Sequence, residues 1–296
     1  MYGTVPEGTT TDARRPRAPA RLPLTAGRRF ALAAGVPVCL ALVLFIAFGL
    51  VADFGRGSFP VRYAVPASAA SVSVSTAGGN LSLRRAAPGA ATFTGTAYYS
   101  LVRPHVTERL TAGQAAFGYR CHLQFGDCGL NATLGVPAGT AVSADTGGGN
   151  VSATGISGQF TISTDGGELS ASDLTGDLSL TTGGGNITAT SVTAPQLTAH
   201  TDGGDITATA VQVGQVIANT GGGDVEIVFT KVPRDVQVST DGGNVTIIVP
   251  PGPTQYRVLP TSDGGTLTND LPTASTSPNV ITATTSGGNI TLQQSP

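Results

Sequence analysis

The amino-acid sequence predicts an all-β chain: a parallel β-solenoid (β-helix) with coils of about 18–23 residues, preceded by a single transmembrane helix. Three observations lead there. A Gly-Gly corner followed by a small polar residue recurs at nearly even intervals. Apolar residues fall into columns of the same period. One uncharged run near the N-terminus is long enough to cross a bilayer.

The corner carries most of the argument. The residues just after each Gly pair are Asn80, Asn150, Glu168, Asn186, Asp205, Asp224, Asn244, Thr266 and Asn289. From Asn150 onward the intervals are 18, 18, 19, 19, 20, 22 and 23. A fixed period near 20 is the mark of a solenoid, whose repeats bury their apolar faces only against one another. The apolar columns keep this register. One reads Val142, Phe160, Leu178, Leu197, Val216, Val236; a second reads Val151, Leu169, Ile187, Ile206, Val225, Val245; a shorter third reads Ile156, Leu174, Val192, Val211. Inside each run apolar and polar residues alternate, as in Phe160-Thr161-Ile162-Ser163. Period two means strands with one buried face.

Together the two periods predict coils of two or three short strands, stacked in parallel at about 4.8 Å. The Gly pairs are expected to supply positive φ at a corner. The Asn or Asp after them is expected to bond neighbouring backbone, also from coil to coil. Thr and Ser are expected to face outward, as residues at home in strands. Pro-Gly corners at Val136-Pro137-Ala138-Gly139 and Val249-Pro250-Pro251-Gly252 hint at two related stretches.

The chain divides into five parts on this reading. Residues 1–29 form a disordered Arg/Pro-rich cytoplasmic tail, 30–52 the transmembrane helix and 53–65 a linker. Residues 66–140 form irregular first coils or a cap holding a Cys121–Cys128 loop, and 141–292 the regular solenoid, with Asn279 to Gln293 as its last coil. The apolar run Phe30–Val51 has 22 residues without a charge, roughly 33 Å as a helix. A cleaved signal peptide competes with this reading, but its apolar region is shorter, and Ala47-Phe48-Gly49 is a poor cleavage site. Six Arg precede the run (Arg14, Arg15, Arg17, Arg21, Arg28, Arg29) and only Arg56 and Arg62 closely follow it. The positive-inside rule then leaves the N-terminus in the cytoplasm and places the C-terminal domain outside the cell membrane.

Cys39 reads as an inert apolar residue of the membrane segment. Cys121 and Cys128, in CHLQFGDC, suit a disulfide in an oxidising exterior. The competing reading, a metal site with His122 and Asp127, lacks a CxxC pair.

At the first regular corner the sequence resembles a known group. Val136-Pro137-Ala138-Gly139-Thr140, then Ala144-Asp145-Thr146-Gly147-Gly148-Gly149-Asn150-Val151, then Thr154-Gly155-Ile156-Ser157-Gly158, is similar to the bacterial putative-adhesin domain. The likeness runs over roughly residues 66–292. It implies a β-solenoid of unknown function, often tethered by an N-terminal membrane helix, and no catalytic residues.

Composition narrows the function further. Charged residues are 11% and aromatics 5%, with 41 Gly and no Trp. Residues 141–296 carry Lys231, Arg234 and Arg257 against thirteen acids, a balance of −10, so nucleic acid is not expected as a partner. Polysaccharide-cleaving β-helices need converging acids and bases. Here Asp165, Asp202 and Asp241 are explained as turn residues, and His105, His122 and His200 do not recur. Thr220-Gly221-Gly222-Gly223-Asp224 is like a calcium β-roll corner, but the Gly pair returns every 18–20 residues rather than every nine. No phosphate loop is present. The Asn-x-Ser/Thr sequons at Asn80, Asn131, Asn150, Asn186, Asn244 and Asn289 mostly follow from the repeat itself. No catalytic, cofactor or metal residue is expected.

The function expected is a non-catalytic envelope-binding, adhesin-like or scaffold protein that presents a repetitive Thr/Ser-rich face. Its partners would be the membrane, through the anchor, and a cell-wall polymer or a membrane protein. The alternatives are an envelope-sensing regulatory module docking a membrane partner and, less favoured, a polysaccharide-acting enzyme.

Overall fold

The structure, a computed structural model, describes residues 35–47, 56–111, 113–121 and 128–296. It contains two compact units, Met1–Leu50 and Val51–Pro296. In the first, α1 spans 35–47. Thirteen residues make about 20 Å of helix, short of a bilayer's hydrocarbon core. No helix among the described residues is long and apolar enough to cross a membrane. The rest of the span expected over 30–52 lies outside the described residues, as does the tail at 1–29.

The second unit is all strand. It opens with β1 (Arg56–Ala64), β2 (Ser71–Thr76), β3 (Leu81–Arg85), β4 (Thr92–Ser100), β5 (His105–Thr111), β6 (Gln114–Arg120) and β7 (Gly129–Val136). The regular coils follow: β8 (Ala141–Thr146), β9 (Val151–Thr154), β10 (Phe160–Thr164), β11 (Leu169–Ser172), β12 (Leu178–Thr182), β13 (Ile187–Thr190), β14 (Thr193–Thr201), β15 (Ile206–Thr220), β16 (Val225–Phe229), β17 (Asp235–Thr240) and β18 (Val245–Val249). Last come β19 (Arg257–Ser262), β20 (Leu267–Asn269), β21 (Val280–Thr285) and β22 (Ile290–Gln294).

These strands make two faces. Face A runs β1-β4-β7-β3-β9-β11-β13-β15-β16-β18-β22-β20. Face B runs β5-β6-β2-β8-β10-β12-β14-β15-β17-β21-β19. The long β15 bends from one face to the other. Pairing is parallel except where β1, β4 and β5 join, so each coil contributes one strand to each face. The third side is short, with single bridges joining Ser157, Thr175 and Thr193. In four successive coils it begins with a left-handed residue, at Gly155 (φ 67°), Asp173 (55°), Ser191 (55°) and Ala210 (54°). The buried Ile156, Leu174, Val192 and Val211 come next, fixing the triangular section.

Both long apolar columns stack in register: Val142–Phe160–Leu178–Leu197–Val216–Val236 on face B and Val151–Leu169–Ile187–Ile206–Val225–Val245 on face A. The buried core runs from Val61 to Leu292, so the second unit holds a complete core of its own.

Stacking order departs from chain order at both ends. Counted along face B from β6, the levels are β6, β2, β8, β10, β12, β14, β15, β17, β21 and β19. The coil of β2 and β3 is thus wedged inside the later coil of β6 and β7. Likewise the last coil in sequence, β21 and β22, is wedged inside the earlier β19 and β20. Residues 279–293 are therefore not the end of the stack; β19 and β20 are. The two Pro-Gly corners at 136–139 and 249–252 sit where the chain skips a level, from β7 to β8 and from β18 to β19. Pro88-Gly89 marks a third departure, between β3 and β4.

Three other expectations are corrected. Residues 53–65 hold strand β1 rather than a linker, paired along its length with β4. Of the Gly in the repeat corners only Gly79 has positive φ (97°). The second Gly of each pair is needed for close approach: a Cβ at Gly185, Gly204 or Gly223 would run into the carbonyl of the equivalent Gly one coil before. Thr is not always outward either. Thr146, Thr164, Thr182, Thr201, Thr220, Thr240 and Thr285, one per coil at the end of its face-B strand, are buried.

Candidate functional site

The corner Thr-x-Gly-Gly-Asx is built from two hydrogen-bonded ladders. In the inner one, each Thr hydroxyl donates to the second corner Gly carbonyl of the preceding coil and accepts the N–H of its own corner. Thr182 donates to Gly167 O at 2.8 Å and accepts from Gly185 N at 3.2 Å. Thr164, Thr201, Thr220, Thr240 and Thr285 repeat the pattern. Ser262 does the same on the final level. Two positions depart from it: Thr146 donates to Gly79 O at 3.3 Å without accepting the second bond, and the Thr76 hydroxyl is buried without a partner.

The outer ladder uses the residue after the Gly pair. Asn131, Asn80 and Asn150 accept, through Oδ1, the backbone N–H of Asn80 (2.8 Å), Asn150 (3.0 Å) and Glu168 (2.9 Å) in turn. The ladder breaks at the Glu168 carboxylate, which accepts no N–H from Asn186, and resumes through Asn186, Asp205, Asp224, Asn244 and Asn289 to Thr266. All nine corner residues read from the sequence stand in this column. It also contains Asn131, which follows Gly129-Leu130 rather than a Gly pair. The signal for it was the pattern Asn131-Ala132-Thr133, which matches Asn150-Val151-Ser152. The buried Thr ladder was missed because alternation alone cannot tell a core hydroxyl from a solvent-facing one.

A groove of about 760 Å³ lies across the first levels of face A. It crosses β4, β7, β3, β9 and β11, four inter-strand steps or roughly 19 Å. Carboxamides from Asn131, Asn80 and Asn150 line one side, with hydroxyls from Thr96, Thr133 and Ser152. Gly95 keeps its floor low, since a Cβ there would strike the Asn131 carbonyl. The three Asn spend Oδ1 on the ladder, and their Nδ2 groups bond to nothing among the described residues. Glu168 closes one end with a carboxylate, and no cationic side chain lines the groove. Such a site offers amide donors, hydroxyls and one acceptor to a neutral, hydroxyl-rich ligand.

Groups suited to acid–base chemistry are dispersed. His200 Nε2 lies 3.3 Å from Asp202 Oδ1, but both side chains are exposed, at 48% and 76%. Among the described residues no three His, Cys, Asp or Glu gather as metal ligands; His122 and Asp127 lie outside them. Cys121 and Cys128 are disulfide-bonded, with Cα atoms 6.3 Å apart. Beside them the Tyr119 phenol donates to the Tyr98 carbonyl at 2.8 Å. Burial, reinforced by Tyr98, pushes its pKa up to about 12, which suits a structural donor. Burial also raises the pKa of Tyr256, whose hydroxyl has no partner.

Comparison with known proteins adds the following. Residues 62–293 match the family model described as Toastrack DUF4097. A solved structure of a putative adhesin from Bacteroides fragilis is similar at 13% identity over 81% of this chain and 97% of that one, with a TM-score of 0.49. A putative adhesin from Parabacteroides merdae is similar at 13% identity over 81% and 96%, with a TM-score of 0.45. A putative cell adhesion protein from Clostridium sporogenes matches at 10% identity over 81% and 100%, with a TM-score of 0.28. No curated protein matches the chain.

Proposed function

The chain belongs to the Toastrack DUF4097 family, and from that premise we propose that it is a non-catalytic envelope-binding protein of adhesin-like or scaffold type, held at the cell membrane with its solenoid outside. The observation that carries this reading is the groove on face A. Its uncharged donors and hydroxyls, at a spacing set by the strands, suit a neutral repeating polymer of the cell wall better than a phosphate-rich or nucleic-acid chain. Recognition without chemistry fits the scattering of His and Asp over the surface.

The anchor is part of the same proposal. The apolar side chains of α1 stand uncovered, with Val43 63% and Phe45 78% exposed. They lie within the uncharged run of 22 residues from Phe30 to Val51. An apolar helix of this kind is stable where lipid covers it. Full-length protein is expected to stay with membranes through alkaline carbonate washing; release into the wash would sink the anchor.

Binding is tested by retention of residues 51–296 on isolated cell-wall sacculi, with solubilised membrane proteins offered in parallel. Retention that free wall fragments compete away, and that Thr133→Arg or Ser152→Arg in the groove abolishes, is the expected result. Retention unchanged by both variants would move the site elsewhere. No retention, with one discrete membrane protein recovered instead, would favour the regulatory-module reading.

A further inference from the structure

We propose that the first end of the solenoid, formed by β1, the 101–104 connection and β5, is a docking face for an anionic lipid surface. Charge is divided sharply along the second unit. Residues 56–140 carry Arg56, Arg62, Arg84, Arg85, Arg103, Arg109 and Arg120 against Glu108 and Asp127, seven minus two or +5. Residues 141–296 carry three cations and thirteen acids, or −10. Large apolar side chains stand in solvent at both ends, at Leu101 (37%), Val102 (46%) and Leu110 (50%) here and at Leu259 (48%) and Leu267 (50%) on β19 and β20, but only at this end do they lie within a net positive stretch. Arg103 adjoins the first two and Arg109 the third. Exposed aliphatic residues interleaved with Arg are the chemistry of a membrane-surface contact, in which the apolar tips enter the headgroup layer and the cations hold phosphates.

Position within the fold supports the same occupant. β1 and β5 are the outermost strands at this end. Arg56 pairs with Ser100, which brings the Leu101–Val102 tip beside the start of β1. Arg103 is held there over the Phe59 ring, 4.2 Å from its centroid. Only Ala52, Asp53, Phe54 and Gly55 separate the apolar run from β1, a tether of at most roughly 17 Å. A membrane that takes the apolar run therefore lies within reach of this face, while the acidic remainder of the solenoid is repelled from the same surface. The solenoid would thereby be oriented with its far end directed away from the bilayer. This orientation rests on the anchor proposed above; lipid binding by the face itself does not.

The test separates the two by using residues 51–296, which hold a complete core but lack the apolar run. The protein is mixed with vesicles of phosphatidylcholine alone, or of phosphatidylcholine with phosphatidylglycerol, and sedimented. Although this unit is acidic in total, it is expected to sediment with the anionic vesicles only, and to be released in roughly 1 M salt, where screening falls to about 3 Å. Each of Arg62→Gln, Arg103→Gln and Arg109→Gln is expected to lower the partition coefficient about fivefold. Val102→Ser with Leu110→Ser should lower it further at constant charge, and Arg257→Gln at the opposite end should leave it unchanged. All these side chains are exposed, and circular dichroism checks that each variant is folded. No sedimentation, equal sedimentation with neutral vesicles, or equal loss from Arg257→Gln would overturn the proposal.

Discussion

Replacing Thr182 by Val keeps the shape of the side chain and removes only its hydroxyl. That hydroxyl donates to Gly167 O at 2.8 Å and accepts Gly185 N–H at 3.2 Å, both at a corner closed off by the neighbouring coils. Leaving a buried donor or acceptor unpaired costs about 1–3 kcal/mol each. Gly167 is buried and Gly185 only half-buried, so water can recover part of the second loss. The added methyl contributes about 0.8 kcal/mol in the other direction. The net expectation is a loss of roughly 2–3 kcal/mol. Thr76 occupies the same column but its hydroxyl has no partner. Thr76→Val therefore removes a desolvated polar group without breaking a bond, and should be neutral or stabilising by up to about 1 kcal/mol. Urea unfolding of residues 51–296, followed by circular dichroism, reads both variants against the parent. If the two midpoints shift equally and in the same direction, the Thr ladder does not stabilise the corner and the reasoning fails.

Other outcomes follow from the same geometry. Gly204→Ala puts a Cβ into the Gly185 carbonyl, whereas Gly184→Ala meets nothing within 4 Å; the first should cost about 1–3 kcal/mol and the second stay within about 0.5 kcal/mol, as read by thermal melts. Pro260 lies on β19, the outermost face-B strand, between residues whose N–H groups point inward: Arg257 and Asp263 donate to Asn279 and Thr285. Its ring therefore blunts the open edge. Pro260→Thr should produce concentration-dependent association in sedimentation velocity, and a strictly monomeric variant would contradict that role. Tyr119 has a folded pKa of about 12 against 10.0 in a free side chain. Its neutral form is thus favoured by folding, and the stability it contributes is complete below pH 10 and lost as pH rises towards 12. Melting temperature should fall through that window, and less so in Tyr119→Phe.

The corner residues, the apolar columns and the parallel stacking were legible in the sequence because each is written into every coil. Val142, Phe160 and Leu178 repeat at the coil length, so their alignment needs no knowledge of distant contacts. The disulfide partners were equally legible as the two cysteines of one short segment. The roles within the corner were not. Whether Gly185 is chosen for φ or for closeness, and whether Thr182 faces water or the core, depends on how near the preceding coil comes, and that distance is not a property of the corner itself.

The order of the end levels belonged wholly to the tertiary structure. In sequence the residues before the Gly pairs run Gly147, Asp165, Gly183, Asp202, Gly221, Asp241, Asp263, Ser286. In space the wedged coil of β21 and β22 places Ser286 between Asp241 and Asp263. No two of these Asp then occupy adjacent levels, and each is about 9.6 Å from the next. Local sequence determined the period, the buried face and the corner chemistry, because these arise within one coil and its copy. It did not determine which coil stacks on which at the ends, nor that the Arg-bearing strands β1 and β5 close one of them. Every coil offers a similar edge, and the choice among edges is made by pairings between residues far apart in the chain.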